Sequence, residues 1–481
     1  MKDDAMRIPV VSAVLALAFT AFTPIATGAP AVTTAADETA FRDLYKQLVE
    51  INTTLSVGSC TQAAEAMRAR LLAAGLPKGD IQVLTPPNRP KDGDLIAVLR
   101  GTDAKAKPML LLAHIDVVEA KREDWTRDPF KLVEENGWFY ARGASDDKAM
   151  ASVFTDSLIR YRQEGFKPRR DIKLALTCGE ETPDTFNGVH WLLQTKPETL
   201  SAAFALNEGA GGELDASGKP VALQIQAGEK VYQDFRLDAE DVGGHSSRPT
   251  HSNPIVRLSD GLAKIGAYNF PIQLNDTTRA YFRAEMELQT PQIGADMRAI
   301  LATPPDDAAV ERLWAINPGW NGVMRTTCVP TQIDGGHAPN ALPQHVHANV
   351  NCRILPNTPV EEVRKQLAQV MGEDKISIKP VGEAGTPTTP PPLSAQIMEP
   401  VRKVGDRIWP GVAIVPSMSA GATDGRFLNA AGVPTYGLSG MFHDAEGSHA
   451  HGLNERIRVK SLMDGRRFLY EIVKIYANQS D

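Results

Sequence analysis

Apolar positions recur at helical spacing over residues 38–51 and 61–75, where Ala64, Met67, Leu71 and Leu72 fall on one face. The pattern then gives way to short apolar runs: Leu95–Leu99, Met109–Leu112, Ile172–Thr177 and Ala203–Leu206. Runs of that length suit buried strands. Helical spacing returns between some of them, at Lys148–Tyr161 and Val189–Gln194. Strands alternating with helices predict an α/β layer around a mostly parallel sheet. From about residue 230 the texture changes. Val231–Leu237 alternates, Pro254–Ile265 reads as a helix, and a long mixed segment carries Pro291, Pro304, Pro305 and Pro318. Two strand-like runs follow, Thr326–Ile333 and His345–Ile354, then a helix at Val360–Val370 and a strand at Ile376–Lys379. After a Pro/Thr linker at 386–392 the α/β texture resumes with Ala395–Ile408, Val412–Pro416, Thr435–Leu438 and a terminal helix from Val459 to Ala477. The expected organisation is an α/β domain, residues 32–229 and 385–481, interrupted by an inserted α+β domain at 230–384.

Composition narrows the class. The 481 residues are 42% hydrophobic and 23% charged, which excludes a disordered, collagen-like or multi-span membrane chain. Lys+Arg is 51 against Asp+Glu 58, a net charge of -7 without basic runs, so no nucleic-acid partner is expected. The first charges, Lys2 to Arg7, precede a stretch with no further charge until Asp37. Ile8 to Phe22 is apolar, and Ala29-Pro30-Ala31 places small residues around a cleavage point. That predicts a secretory signal over residues 1–31, a secreted or periplasmic protein, and no stable membrane insertion once the leader is removed. Lys2 and Arg7 balance Asp3 and Asp4, so cleavage leaves the charge at -7.

Chemistry collects where the apolar runs end. His114-Ile115-Asp116 follows Met109–Leu112, and the C-terminal edge of a parallel sheet is where α/β proteins build sites. In that spacing Asp116 can orient the His114 ring. Cys178-Gly179-Glu180-Glu181 follows Ile172–Thr177, and Asn207-Glu208 follows Ala203–Leu206. Adjacent buried carboxylates repel each other and lose hydration unless a cation or proton offsets them. Asp146 opens a helix after Arg142-Gly143-Ala144-Ser145, and Ser448-His449-Ala450-His451 adds imidazoles near the C-terminus. Singly, each has a structural reading: a packed strand-end histidine, a helix cap, a surface charge pair. Together, His and carboxylate ligands without cysteine suit a pair of zinc ions sharing a carboxylate. H-E-x-x-H and G-x-S-x-G are both absent, which removes support for single-zinc proteases of that type and for serine hydrolases.

The chain resembles the co-catalytic zinc metallopeptidase family of aminoacylases, glutamate carboxypeptidases, carnosinases and succinyl-diaminopimelate desuccinylases. The matching pieces are His114-Ile-Asp116, Tyr140-Ala-Arg-Gly-Ala-Ser-Asp146-Asp147-Lys148, Gly179-Glu180-Glu181, Glu208-Gly209, Gly244-His245-Ser-Ser-Arg-Pro249, Asn340-Ala-Leu-Pro343, Gly421-Ala-Thr423-Asp424 and His451-Gly-Leu-Asn-Glu455. They span residues 114–455 in the family's order. The resemblance implies a zinc-peptidase catalytic domain with an inserted lid and dimerisation domain, which offers a route to a homodimer. It implies two Zn2+ per subunit, with Co2+ or Mn2+ as substitutes. His114, Asp146 and Glu208 would hold one ion; Asp146, Glu181 and His451 would hold the other. Glu180 would be the general base, Asp116 its catalytic companion behind His114, and His245 an oxyanion donor from the lid. Arg353 would meet a substrate carboxylate, with Asn340, Gly421 and Thr423 lining the same pocket. The chain departs from the family pattern at Glu119, Ala149 and Asn207, none of them a ligand, and its 276–322 segment is long for a lid.

The expected activity is hydrolysis of an amide or peptide bond next to a free carboxylate, of carboxypeptidase or dipeptidase type. The alternative is an N-acyl-amino-acid amidohydrolase, and a remote one is an inactive zinc- or peptide-binding protein. A small peptide or N-acyl amino acid is the substrate in the first two cases. Cys328 and Cys352 lie equally far from Asn340, so an antiparallel pairing of the two flanking runs would bring them face to face. An exported chain permits that disulfide. Cys60 and Cys178 are expected to be free thiols.

Overall fold

The computed structural model describes residues 35–182, 185–382 and 385–480; the expected leader at 1–31 lies outside them. No helix among the described residues is long and apolar enough to cross a membrane.

A ten-stranded sheet forms the main layer. Its centre runs Ile172–Thr177, Met109–His114, Phe204–Asn207 and Thr435–Gly437, each parallel to its neighbour. The mostly parallel sheet predicted from the apolar runs is therefore present. Apart from Lys173 these strands are apolar between their ends, because both faces are covered. Met109, Leu111 and Ala113 face the larger core, under the helices Cys60–Ala73, Lys148–Gln163, Ala395–Ile408 and Val459–Asn478. Leu110 and Leu112 face a smaller core with Leu192 and Leu428, from the helices Gly188–Thr195 and Gly425–Ala430. The registers His114 opposite Thr177 and Gly437 opposite Asn207 bring the strand ends to one edge.

A second, antiparallel sheet takes the order Thr327–Gly335, His345–Ile354, Val231–Glu240, Ile376–Pro380. Only one of its faces is covered, by the helices Pro254–Ala267 and Val360–Met371. Its strands therefore alternate: Phe235 and Leu237 are buried, whereas Tyr232 and Arg236 are exposed. Within the same stretch, Asp276–Glu285, Pro291–Ile300, Asp307–Ile316 and Pro318–Met324 form a helical block around Phe282, Met297, Ile300, Leu313 and Met324. Pro291 and Pro318 each open a helix, where the missing N–H has no intrahelical role. The block packs on the main-sheet strand Ala413–Ser419, and Thr277 Oγ1 donates to Ala227 O at 3.0 Å. Its entry and exit adjoin each other, since Gln273 N–H donates to Met324 O at 3.0 Å. Lys230, between the two sheets, reaches the block's end. Its Nζ donates to Gly322 O at 2.7 Å, Arg325 O at 2.8 Å and Thr327 Oγ1 at 3.2 Å. Burial pushes the Lys230 pKa down to about 7.

Cys328 and Cys352 are direct partners in the second sheet and form a disulfide, Cα atoms 4.1 Å apart. The expectation for the other pair is corrected: Cys60 and Cys178 are also bonded. Cys60 opens the helix Cys60–Ala73 and Cys178 follows the strand Ile172–Thr177, and the fold brings their Cα atoms to 6.0 Å, within disulfide reach.

Candidate metal centre and active site

Three strand ends and two loops converge. His114, the last residue of its strand, is buried. Its Nδ1 lies 3.1 Å from the carbonyl of Asp116, which can only accept, so Nδ1 carries a proton and in the neutral ring Nε2 is the nitrogen left with a lone pair. The Asp116 carboxylate does not take that proton, because its Oδ1 stands 3.6 Å away. It accepts instead from the backbone N–H groups of Glu180, at 3.3 Å, and Glu181, at 3.0 Å. The expected orienting role on the ring thus passes to the Asp116 main chain. Gly179, at φ +90°, allows this loop: a Cβ there would stand 2.3 Å from Phe186 O.

Asp146 divides its two oxygens. Oδ1 is 3.0 Å from His114 Nε2, and Oδ2 is 3.2 Å from His451 Nε2. His114 Nε2 is also 3.7 Å from Glu208 Oε1, and His451 Nε2 is 2.9 Å from Glu181 Oε2. Two sets of ligand atoms, those of His114, Asp146 and Glu181 and those of His114, Glu180 and Glu208, each lie within 4.8 Å of one another.

Four carboxylates around two imidazoles form a strained set of charges. Burial holds Glu180 well above the ordinary carboxylate range; His114 opposes this, while Asp424, Glu181 and Asp116 add to it. Glu208 is raised in the same way, by burial and then by Glu180, Asp146 and Asp147 against His114. Asp146 is lowered: burial acts upward, but the hydrogen bonds to His114 and His451 prevail. His451 is pushed up to about 10 by its bonds to Asp146 and Glu181. For His114 burial acts downward, yet Glu208, Asp116 and Asp146 raise it well above its usual value. The two imidazoles are the groups that relieve this crowding of carboxylates. Divalent cations between the same nitrogen and oxygen atoms would do so better, and a sulfur-free donor set of two His and several carboxylates fits zinc, cobalt or manganese.

The remaining expected residues are placed as follows. Thr423 N donates to Glu229 Oε2 at 2.6 Å, and its Oγ1 accepts from Asn207 Nδ2 at 3.0 Å, beside Glu208. Gly421 is exposed next to Ser419. His245 and Asn340 meet on a two-stranded ribbon, where His245 pairs with Ala341 and Ser246 N donates to Asn340 O at 3.0 Å. No described hydrogen bond or ion pair joins that ribbon to the strand-end cluster. Ser247 N–H donates to His245 Nδ1 at 3.1 Å, so a neutral ring carries its proton on the exposed Nε2. Arg353 lies over the Tyr232 ring at 4.5 Å, facing outward from the second sheet. Sequence reasoning gave no role to Arg142, Asp424 or Glu455, although the motif strings contain all three. Asp424 is buried and accepts from Thr177 Oγ1 at 3.2 Å and Asn187 Nδ2 at 2.6 Å, under the Glu180 loop.

Known proteins share this arrangement of chain. The sequence model of Peptidase family M20/M25/M40 matches residues 110–475. The N-fatty-acyl-amino acid synthase/hydrolase PM20D1 of Homo sapiens is 28% identical over 385 residues, 78% of this chain and 75% of that protein. Aminoacylase-1 of Homo sapiens is 25% identical over 403 residues, covering 81% and 86%. Among solved structures, an M20 family metallo-carboxypeptidase from Sulfolobus solfataricus has the same fold, with a TM-score of 0.67 at 18% identity over 91% of this chain and 99% of that one.

Proposed function

Because the chain belongs to peptidase family M20/M25/M40, whose members are metal-dependent peptidases and amidohydrolases, we propose that it hydrolyses an amide whose amine side carries a free carboxylate, at a centre of two zinc ions. The observation that carries this reading is Asp146, with one oxygen toward His114 and the other toward His451. His114, Asp146 and Glu208 would hold one ion, and Asp146, Glu181 and His451 the other. The ions would supply an acidified water and a polarised amide carbonyl. Glu180 takes a proton from the attacking water and returns it to the leaving nitrogen. His245 Nε2–H is the donor for the developing oxyanion, brought in by lid movement or by a second copy of the chain through the lid domain. Arg353 pairs with the substrate carboxylate, and Asn340, Gly421 and Thr423 line its approach.

An N-acyl amino acid as the natural substrate is favoured over a peptide by the likeness to PM20D1 and aminoacylase-1. The enzyme acts outside the cytoplasm, a reading supported by the charged-then-apolar segment at 1–31 and by two disulfides among the described residues.

Glu180→Gln tests the reading. The variant should keep its metal and its Tm while kcat falls by about 10²–10⁴-fold. Dipeptides, N-acetyl amino acids and long-chain N-acyl amino acids should be compared in the wild type. Turnover by Glu180→Gln within tenfold of wild type would place the base elsewhere.

A further inference from the structure

The motif His451-Gly452-Leu453-Asn454-Glu455 ends on a carboxylate that binds no expected ligand. Glu455 is fully buried. Its carboxylate accepts from the N–H groups of Gly143 at 3.0 Å, Ser145 at 2.8 Å and Asp146 at 3.0 Å, and from Arg142 Nη1 at 2.8 Å. Arg142, itself buried over the Trp125 ring at 5.0 Å, donates through Nη2 to Gly452 O at 2.9 Å. A three-stranded sheet fixes this meeting, since Arg456 pairs with Tyr140 and Ala141 N–H donates to Glu455 O at 3.2 Å.

The loop this knot restrains is unusual in its backbone. His449, His451 and Asn454 have φ of 58°, 62° and 54°, the left-handed region for three non-glycine residues. Such a conformation is disfavoured for a residue with a Cβ and persists only when neighbouring contacts over-determine it. The contacts are present. Arg456 N donates to Ser448 O at 2.8 Å, Gly452 N to His449 O at 2.9 Å, and Thr126 Oγ1 to Asn454 Oδ1 at 2.7 Å. Arg142 and Glu455 add the link from this loop to the backbone of Asp146.

We infer that Glu455, paired with Arg142, is a positioning residue that holds Asp146 and His451 in one frame, so that the cation position they share with Glu181 exists. Neither residue is among the expected ligands or substrate contacts. Glu455 sets the main chain of the bridging carboxylate, and Arg142 ties the His451 loop to that setting. The inference rests on the two-zinc reading above.

The test is zinc binding by the metal-free full chain, with a competing chromophoric chelator, for wild type, Glu455→Gln and Arg142→Lys. Arg142→Lys keeps a cation opposite Glu455, so the buried carboxylate is not orphaned, but a single ammonium cannot reproduce the planar fork that spans Glu455 and Gly452 O. Its metal-free Tm should stay near wild type, while the second zinc equivalent binds about 10–100-fold more weakly and the zinc-induced rise in Tm shrinks. Glu455→Gln should lose at least as much; if it does not fold, Arg142→Lys decides alone. A wild type that takes fewer than two zinc ions per chain defeats the metal-centre reading. A wild type that takes two, with Arg142→Lys matching its affinity for both, defeats this inference only.

Discussion

Glu181 donates its backbone N–H to the Asp116 carboxylate at 3.0 Å, so a residue of the His114 strand end holds the start of the carboxylate loop. Glu180 uses the other oxygen. One side chain thus sets the main chain from which both Glu180 and Glu181 project.

Asp116→Asn should expose that dependence. An amide offers one oxygen and one NH2 to two N–H donors, so one donor meets another. The Asp116 carbonyl that orients His114 stays in place. Zinc affinity should fall about tenfold and kcat should fall more than KM changes. Wild-type kcat and metal binding in this variant would show that the two backbone bonds do not set the loop.

Arg353 should select for a free carboxylate. Its guanidinium is stacked on Tyr232, and a planar fork can bind a carboxylate through two parallel bonds. Amidating the substrate and mutating Arg353→Ala should each raise KM, and the combination should raise it little further. Equal turnover of free and amidated substrates would make Arg353 a structural residue.

The two disulfides should separate in their effects. Cys60–Cys178 closes a separation of 118 residues and Cys328–Cys352 one of 24. In the chain-entropy treatment these are worth about 5 and about 3–4 kcal/mol. Cys178 is two residues from Glu180, whereas Cys328 and Cys352 lie in the second sheet. Cys60→Ala with Cys178→Ala should lower both Tm and kcat. Cys328→Ala with Cys352→Ala should lower Tm with kcat nearly kept. A Cys60/Cys178 double variant with wild-type kcat would show that the bond does not support the loop.

Glu229 should give stability a pH dependence. Burial pushes its carboxyl up to about 7, against the bonds from Thr423 and the charge of Arg426. The folded pKa therefore exceeds the unfolded one. At pH well below the ordinary carboxylate pKa, both states hold the proton. Between that value and about 7 the unfolded chain releases it first, so stability falls as pH rises, by about 3 kcal/mol in all. Urea unfolding at about pH 5 and about pH 7.5 should show a larger loss for wild type than for Glu229→Gln. Parallel losses would mean that Glu229 stays ionised in the fold.

The strand-end cluster was legible because a strand buried on both faces has few polar positions and no acid until it ends. His114 is the first polar position of its strand, and Glu180 and Glu208 are the first carboxylates after theirs. Cys328–Cys352 was legible because two neighbouring antiparallel strands fix a register from local numbering. Cys60–Cys178 was not, since its partners meet only after 118 residues of layer packing. The helical block was hidden because Pro291 and Pro318 read as breaks when they are helix starts. Glu229 and Asp94 were invisible for a different reason: beside Lys230 and after Lys91-Asp92-Gly93 they read as ordinary charges at strand ends, and only the fold shows Asp94 Oδ1 accepting from Cys178 N at 2.9 Å.

Gln273 and Met324, being hydrogen-bonded neighbours, give the four helices between them a pinched stalk. A shorter chain could join the stalk directly and leave both sheets in register. It would then strip Lys230 of its Gly322 acceptor and bare the strand Ala413–Ser419. Arg325 O and Thr327 Oγ1 would still hold the ammonium. A deletion of the helices here should therefore tolerate Lys230 and call instead for polar replacements on the bared strand to remain soluble.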